Sequence, residues 1–173
     1  MVDSKDWTWV LGRACPECGL DTRAVEPVAV AGMVRDAAGT WGEVLDGAGV
    51  RVRPAEGVWS PLEYGAHVRD AFRIYDYRLG LMLTQDDPLF PNWDQDETAV
   101  AERYGEQDPA TVARDLQDAG TTLAAHFDQV RGDQWDRPGR RSDGASFTVA
   151  TFARYFVHDP IHHLHDATGR TSG

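Results

Sequence analysis

The stretch WSPLEYGAHVRDAFRIYDYRLG, residues 59–80, carries the clearest structural signal in the chain. Ser60 is a residue type whose side-chain oxygen accepts from the free N–H groups at a helix start. Pro61 follows at the first helical position, where its missing N–H costs nothing. Glu63 stands three residues after Ser60, the spacing of a capping box. Leu62, Ala66, Ile74 and Leu81 supply apolar positions, so the pattern predicts a helix from Pro61 to about Leu83. Inside this helix lies one imidazole, His67, among residues that must face a core. There it needs a hydrogen bond or a metal as partner.

Three more long helices follow from the same reasoning. PVAVAGMVRDAAGTWGEVL predicts one over about Val25 to Leu45. Asp108-Pro109 repeats the cap-then-proline start, and Val112, Leu116, Ala119, Leu123 and Phe127 keep a three-four spacing toward Gly132. The last runs from about Ser146 or Phe147 to Thr168, before Gly169. A short helix is expected at Glu97 to Tyr104, inside a long crossover that begins TQDDPLFPNWDQ. RGDQWDRPGRRSDGAS reads as a loop, and AGVRVRPAEGVW as an extended piece without a good partner. The expected architecture is therefore all-α: a four-helix bundle with a crossover connection and an irregular N-terminal arm over residues 1–23. One domain is expected for 173 residues without repeats or linkers.

Composition excludes several function classes. The formal net charge is −11, and Lys5 is the only lysine. A nucleic-acid partner needs a basic face, so none is expected. Mean hydropathy is −0.46, and no apolar run approaches the ~20 residues of a membrane span. MVDSKDWTWVLG lacks a basic segment followed by an apolar one, so the expectation is a cytoplasmic protein.

FVHDPIHHLHDA, residues 156–167, holds four of the six histidines. His158 and His162 are four apart, which on a helix sets both imidazoles on one face, able to share a divalent metal. His165 lies near the same face, and His163 points about 100° away from His162. His67 is the best third ligand, with His126 as competitor. A histidine-rich helix C-terminus also suits the macrodipole, so spacing alone leaves both readings open. Pro160 either kinks the helix or restarts it behind Asp159; the apolar run TFARYFV into His158 favours the kink. Asp159, Asp70, Glu63 and Asp166 are candidates to accept from the imidazoles, and Tyr64, Tyr75 and Tyr155 to line a pocket. Near the N-terminus, Cys15 and Cys18 form CPEC. A structural zinc needs four ligands and no second CxxC exists, so histidines or a second subunit would have to complete it. A redox pair and a plain tight turn stand beside that reading. In each case the cysteines are expected outside the main site.

WSPLEYGAHVRD, the late pattern H-x-x-x-H-H-L-x-D (His158, His162, His163, Leu164, Asp166), and their order along the chain resemble the DinB-like (DinB/YfiT) superfamily. The nearest branch is the actinobacterial one related to mycothiol-dependent maleylpyruvate isomerase N-terminal domains. The resemblance covers about Trp41 to Thr168. It implies a three-histidine metal site of His67, His158 and His162 with open coordination positions, holding zinc or nickel. It further implies a thiol-dependent transferase or isomerase with mycothiol as cosubstrate, a small-molecule substrate and a homodimer. By residue type alone, Arg69, Arg73 and Arg154 are candidates to bind anionic substrate groups through a bidentate fork. The alternatives are a metal-dependent hydrolase, or a non-catalytic metal or small-molecule binding protein.

Overall fold

A computed structural model of the chain describes residues 7–171; the first six residues of the expected arm lie outside them. The elements are α1 (Val30–Leu45), α2 (Pro61–Thr84), α3 (Gln95–Ala101), α4 (Pro109–Phe127), β1 (Pro138–Arg140), β2 (Ser146–Thr148) and α5 (Val149–Thr168). α2 starts as its sequence requires. The Glu63 N–H donates to Ser60 Oγ at 3.3 Å, and Glu63 Oε2 accepts from the Ser60 N–H at 2.8 Å. Asp108 caps α4 through the Thr111 N–H, again ahead of a first-turn proline.

α1, α2, α4 and α5 form the bundle. α4 packs on α1 and α2 from one side, and α5 packs on the same two helices from the other. α4 and α5 reach each other mainly through long side chains across the core, such as Phe127 and Phe156 with centroids 6.3 Å apart. The connections that link non-adjacent helices are thus 46–60 and 128–148, whereas 85–108, with α3, joins two neighbours. Trp41, Phe72, Leu79, Leu116, Leu123, Phe152 and Phe156 fill the centre and are almost fully buried. At Gly120 a Cβ would lie 2.9 Å from Ala38 Cβ and 3.0 Å from the Phe72 ring, so only glycine permits this approach of α4 to its neighbours.

Four details depart from the sequence reading. α1 begins at Val30, because Pro27 holds Glu26 extended and opens a separate tight turn over Pro27–Ala29. α4 ends at Phe127 rather than near Gly132, where the Gln129 and Val130 N–H groups tighten onto the His126 and Phe127 carbonyls. α5 starts at Val149, capped by Thr148. The expected loop holds the β1–β2 hairpin, with Gly139 opposite Phe147, and Arg140 also bridges Leu89; 48–59 is turns and bends instead. Three-residue strands of Pro-Gly-Arg and Ser-Phe-Thr carry too little alternation to announce themselves. α5 runs unbroken through Pro160, and its carbonyl accepts from Trp41 Nε1 at 3.2 Å.

The arm lies on α5. Residues 8–11 form a tight turn that buries Val10 against it, and Arg154 Nε donates to the Val25 carbonyl at 2.8 Å. Among the described residues no helix is long and apolar enough to cross a membrane.

Candidate metal centre

Two consecutive i,i+4 pairs on α5 face two different neighbours. Because one residue step rotates a helix position by about 100°, residues 159 and 163 turn toward α2 while 158 and 162 turn toward the arm. His67, Asp159 and His163 bring one donor atom each within 4.8 Å of one another. Cys15, Cys18, His158 and His162 do the same as a separate, wholly buried set. His67, His158 and His162, expected together, are therefore divided: the last two converge, and His67 stands with other partners. The cysteines, expected outside the main site, lie against two of the histidines expected in it, with Cys15 Sγ 3.5 Å from His162 Nδ1.

The first group is built on rigid supports. His67 is fully buried in α2. Its ring stacks on Trp93 at 5.4 Å with a 6° interplanar angle, and Trp59 covers it at 5.6 Å. His67 Nε2 lies 3.4 Å from Asp159 Oδ2, and His163 Nε2 lies 3.7 Å from the same oxygen. On its other side His163 Nδ1 meets Asp166 Oδ2 at 2.9 Å, which fixes the ring with Nε2 toward the group. Tyr64 stacks on the outer face of His163 at 5.0 Å. His67 Nδ1 and Asp159 Oδ1 are buried and have no hydrogen-bond partner among the described residues. Burial opposes ionising Asp159, yet the charges of His67 and His163 outweigh it and hold this carboxyl well below the usual range. Two imidazoles and one ionised carboxylate fit a divalent cation, and orphaned polar atoms are what such a set leaves when only protein atoms are counted. A cavity of about 20 Å³ lies between the two groups, lined by Trp7, Tyr75 and Tyr155, by Asp159 and His163 of the first and by His158 and His162 of the second.

In the second group burial pushes the His158 imidazole down to about 4, with His162 adding to the effect, and also lowers His162. Both rings are thus neutral at pH 7, the form that ligates metals. Burial pushes the Cys18 thiol up to about 11 in the metal-free chain, against a lowering contribution from the Leu20 backbone.

Other candidates are engaged elsewhere. His126 pairs with Asp76 at 3.0 Å, and His165 Nδ1 meets the Arg170 carbonyl. Glu63 belongs to the α2 cap, where Arg53 also binds it. Asp70 accepts from Arg69 and from the Tyr104 hydroxyl at 2.6 Å. Arg69 is held by Asp70 and Gln107, Arg73 by Asp70 and Asp115, and Arg154 by the Val25 carbonyl. All three arginines expected to meet substrate have protein partners, and Arg73 stays about half exposed. Asp159 was readable only as an acceptor, and His163 stood outside the expected ligand set; the signal for both was their own spacing of four, one residue out of step with 158 and 162.

A sequence model described as the DinB superfamily matches residues 34–167. The chain belongs to the DinB superfamily. Both α5 pairs and His67 lie within the match, whereas Cys15 and Cys18 precede it. This DinB-superfamily chain also superposes on Bacillus subtilis YfiT with a TM-score of 0.72. Sequence identity is 19%, over 83% of this chain and 82% of that one. YfiT is described as a probable metal-dependent hydrolase with an unusual four-helix bundle topology. A search of curated proteins gave no match.

Proposed function

We propose that the protein is a metal-dependent enzyme acting on a small molecule, with His67, Asp159 and His163 holding a divalent cation. The observation that carries this reading is the convergence of three donors from α2 and α5 within 4.8 Å of one another, with Asp159 Oδ1 buried and unpartnered beside them. A cation held by three protein ligands supplies Lewis-acid polarisation and lowers the pKa of a coordinated water or thiol. The chain's own residues do the rest. Trp93 and Trp59 lock His67, Asp166 sets the tautomer and direction of His163, and Asp159 contributes the single negative charge.

Hydrolysis is the reaction we infer. The neighbouring cavity, about 20 Å³, has the size of one water, and the fold is shared with a protein described as a probable metal-dependent hydrolase. The second reading is a mycothiol-dependent transferase or isomerase in the cytoplasm, working as a homodimer, and it rests on the motif resemblance. Zinc or nickel is the expected metal. The test is a panel of esters and amides assayed with and without added low-molecular-weight thiol, on wild type and His67→Ala. Turnover without thiol that disappears in His67→Ala supports hydrolysis. Turnover that requires thiol moves the assignment to the second reading. Activity untouched by His67→Ala overturns both.

A further inference from the structure

We propose that Cys15, Cys18, His158 and His162 form a second, closed zinc site that fastens the N-terminal arm to α5. It does not depend on His67, Asp159 or His163, and it uses two residues outside the superfamily match.

Number and type of donors come first. Two thiols and two imidazoles are the Cys2His2 set of structural zinc, and four protein ligands leave no open position. All four residues are buried, with His158 at 1% and Cys18 at 0% exposure. Their donor atoms lie within 4.8 Å of one another. In a tetrahedral site with Zn–S of about 2.3 Å and Zn–N of about 2.05 Å, a sulfur and a nitrogen are separated by about 3.5 Å. Cys15 Sγ and His162 Nδ1 already stand 3.5 Å apart.

The backbone and the outer partners agree. CPECG folds into the tight loop that lets two cysteines share an ion. The Gly19 N–H donates to the Cys15 carbonyl at 3.0 Å, and the Cys15 N–H donates to the Leu20 carbonyl at 2.9 Å. Gly19 takes φ +80°, a conformation open to glycine. With Nδ1 of His162 given to the metal, its Nε2 carries the proton, and that atom faces Glu17 Oε2 at 3.2 Å. A carboxylate on the far nitrogen is the usual orienting partner of a ligating histidine, and here the same knuckle supplies it. His158 Nε2 is buried and has no hydrogen-bond partner among the described residues. That is a costly state for an imidazole nitrogen unless an ion takes the lone pair. Trp7 packs over both rings, 4.7 Å from His158 and 4.6 Å from His162.

A CPEC pair could instead close as a disulfide, and the two buried histidines argue against it, because a disulfide leaves them unsatisfied. The experiment is cobalt(II) substitution of the full reduced chain, with metal counted per chain. Wild type should show sulfur-to-cobalt charge-transfer absorption and tetrahedral ligand-field bands. Its two thiols should resist a thiol reagent until a chelator is added. Cys15→Ser with Cys18→Ser should lose one metal per chain and the charge-transfer band, and His158→Ala should shift the ligand-field bands. His67→Ala should keep the charge-transfer band, which separates this site from the catalytic reading. The proposal is overturned if cobalt-loaded wild type shows no charge-transfer band, or if its thiols react at once without chelator. A disulfide in the chain purified without reductant under metal-replete conditions also overturns it. Should the double variant fold poorly, the thiol-protection result on wild type decides alone.

Discussion

The two donor groups on α5 share a helix, a four-residue spacing and a histidine as second member, and differ in what faces them. The 159/163 pair meets His67 from α2. The 158/162 pair meets two thiols from the arm that lies on α5. Three donors of mixed nitrogen and oxygen leave room for chemistry; four donors of nitrogen and sulfur use up a tetrahedral ion. The comparison teaches that metal-ligand spacing says a pair can bind, and that the opposing element decides what the binding is for.

The contrast breaks most clearly on activity. His67→Ala should lower kcat/KM by about 10³-fold or more, since the Lewis acid supplies several kcal/mol of transition-state stabilisation. The Cys15→Ser, Cys18→Ser variant should retain turnover within about tenfold. Steady-state kinetics on both variants checks this, and equal losses would erase the distinction.

Next in size is stability. A zinc ion at the proposed site would pin residues 15 and 18 to residue 158 and close a long loop, so its loss should cost about 5 kcal/mol by chain entropy. Denaturant unfolding of the metal-loaded double variant measures it. His67→Ala should cost less than this, because the bundle core around it stays in place.

A smaller effect belongs to Asp166, which touches both groups. Its Oδ2 lies 2.9 Å from His163 Nδ1, and its Oδ1 lies 3.6 Å from His162 Nε2. Asp166→Asn should weaken metal affinity or activity by about 10- to 100-fold at the first group. The second group should feel it less, since Glu17 stands closer to His162. Metal titration monitored separately at the thiolate band and by activity reads the two arms.

The smallest effect comes from acid, away from both centres. Burial raises Asp70 and Glu63, but hydrogen bonds from Arg69 and Tyr104, and from Arg53 and Ser60, lower both below their ordinary values. Groups held low contribute stability that is complete above the unfolded pKa of about 4 and is lost as pH falls through the folded value. Thermal melts of the metal-free chain should show this contribution fading below about pH 4, and Asp70→Asn should flatten it.

Much of this was legible beforehand because the fold depends on local rules. Ser60-Pro61-x-Glu63 and Asp108-Pro109 fix two helix starts by side chains within four residues, and the apolar spacing in α4 fixes its buried face. The hairpin was not legible, because Gly139 is chosen by its tertiary neighbours: a Cβ there would sit 2.7 Å from Phe90 and 2.8 Å from Met82. The metal-ligating residue types were also legible, but their grouping was not. Whether Cys15 or His67 meets His162 depends on the path of the arm over α5, a contact across 147 positions that no periodicity encodes.

The one-residue offset on α5 amounts to two reading frames written over the same turn. Frame 159/163 answers to α2, which the superfamily match includes; frame 158/162 answers to CPEC, which precedes it. Pro160 sits inside both, so inserting or deleting one residue at that turn would break both four-residue spacings at once. On the two proposed sites, a relative that lacks the cysteine knuckle has no need of histidine at 158 and 162, while it keeps its ligands at 159 and 163.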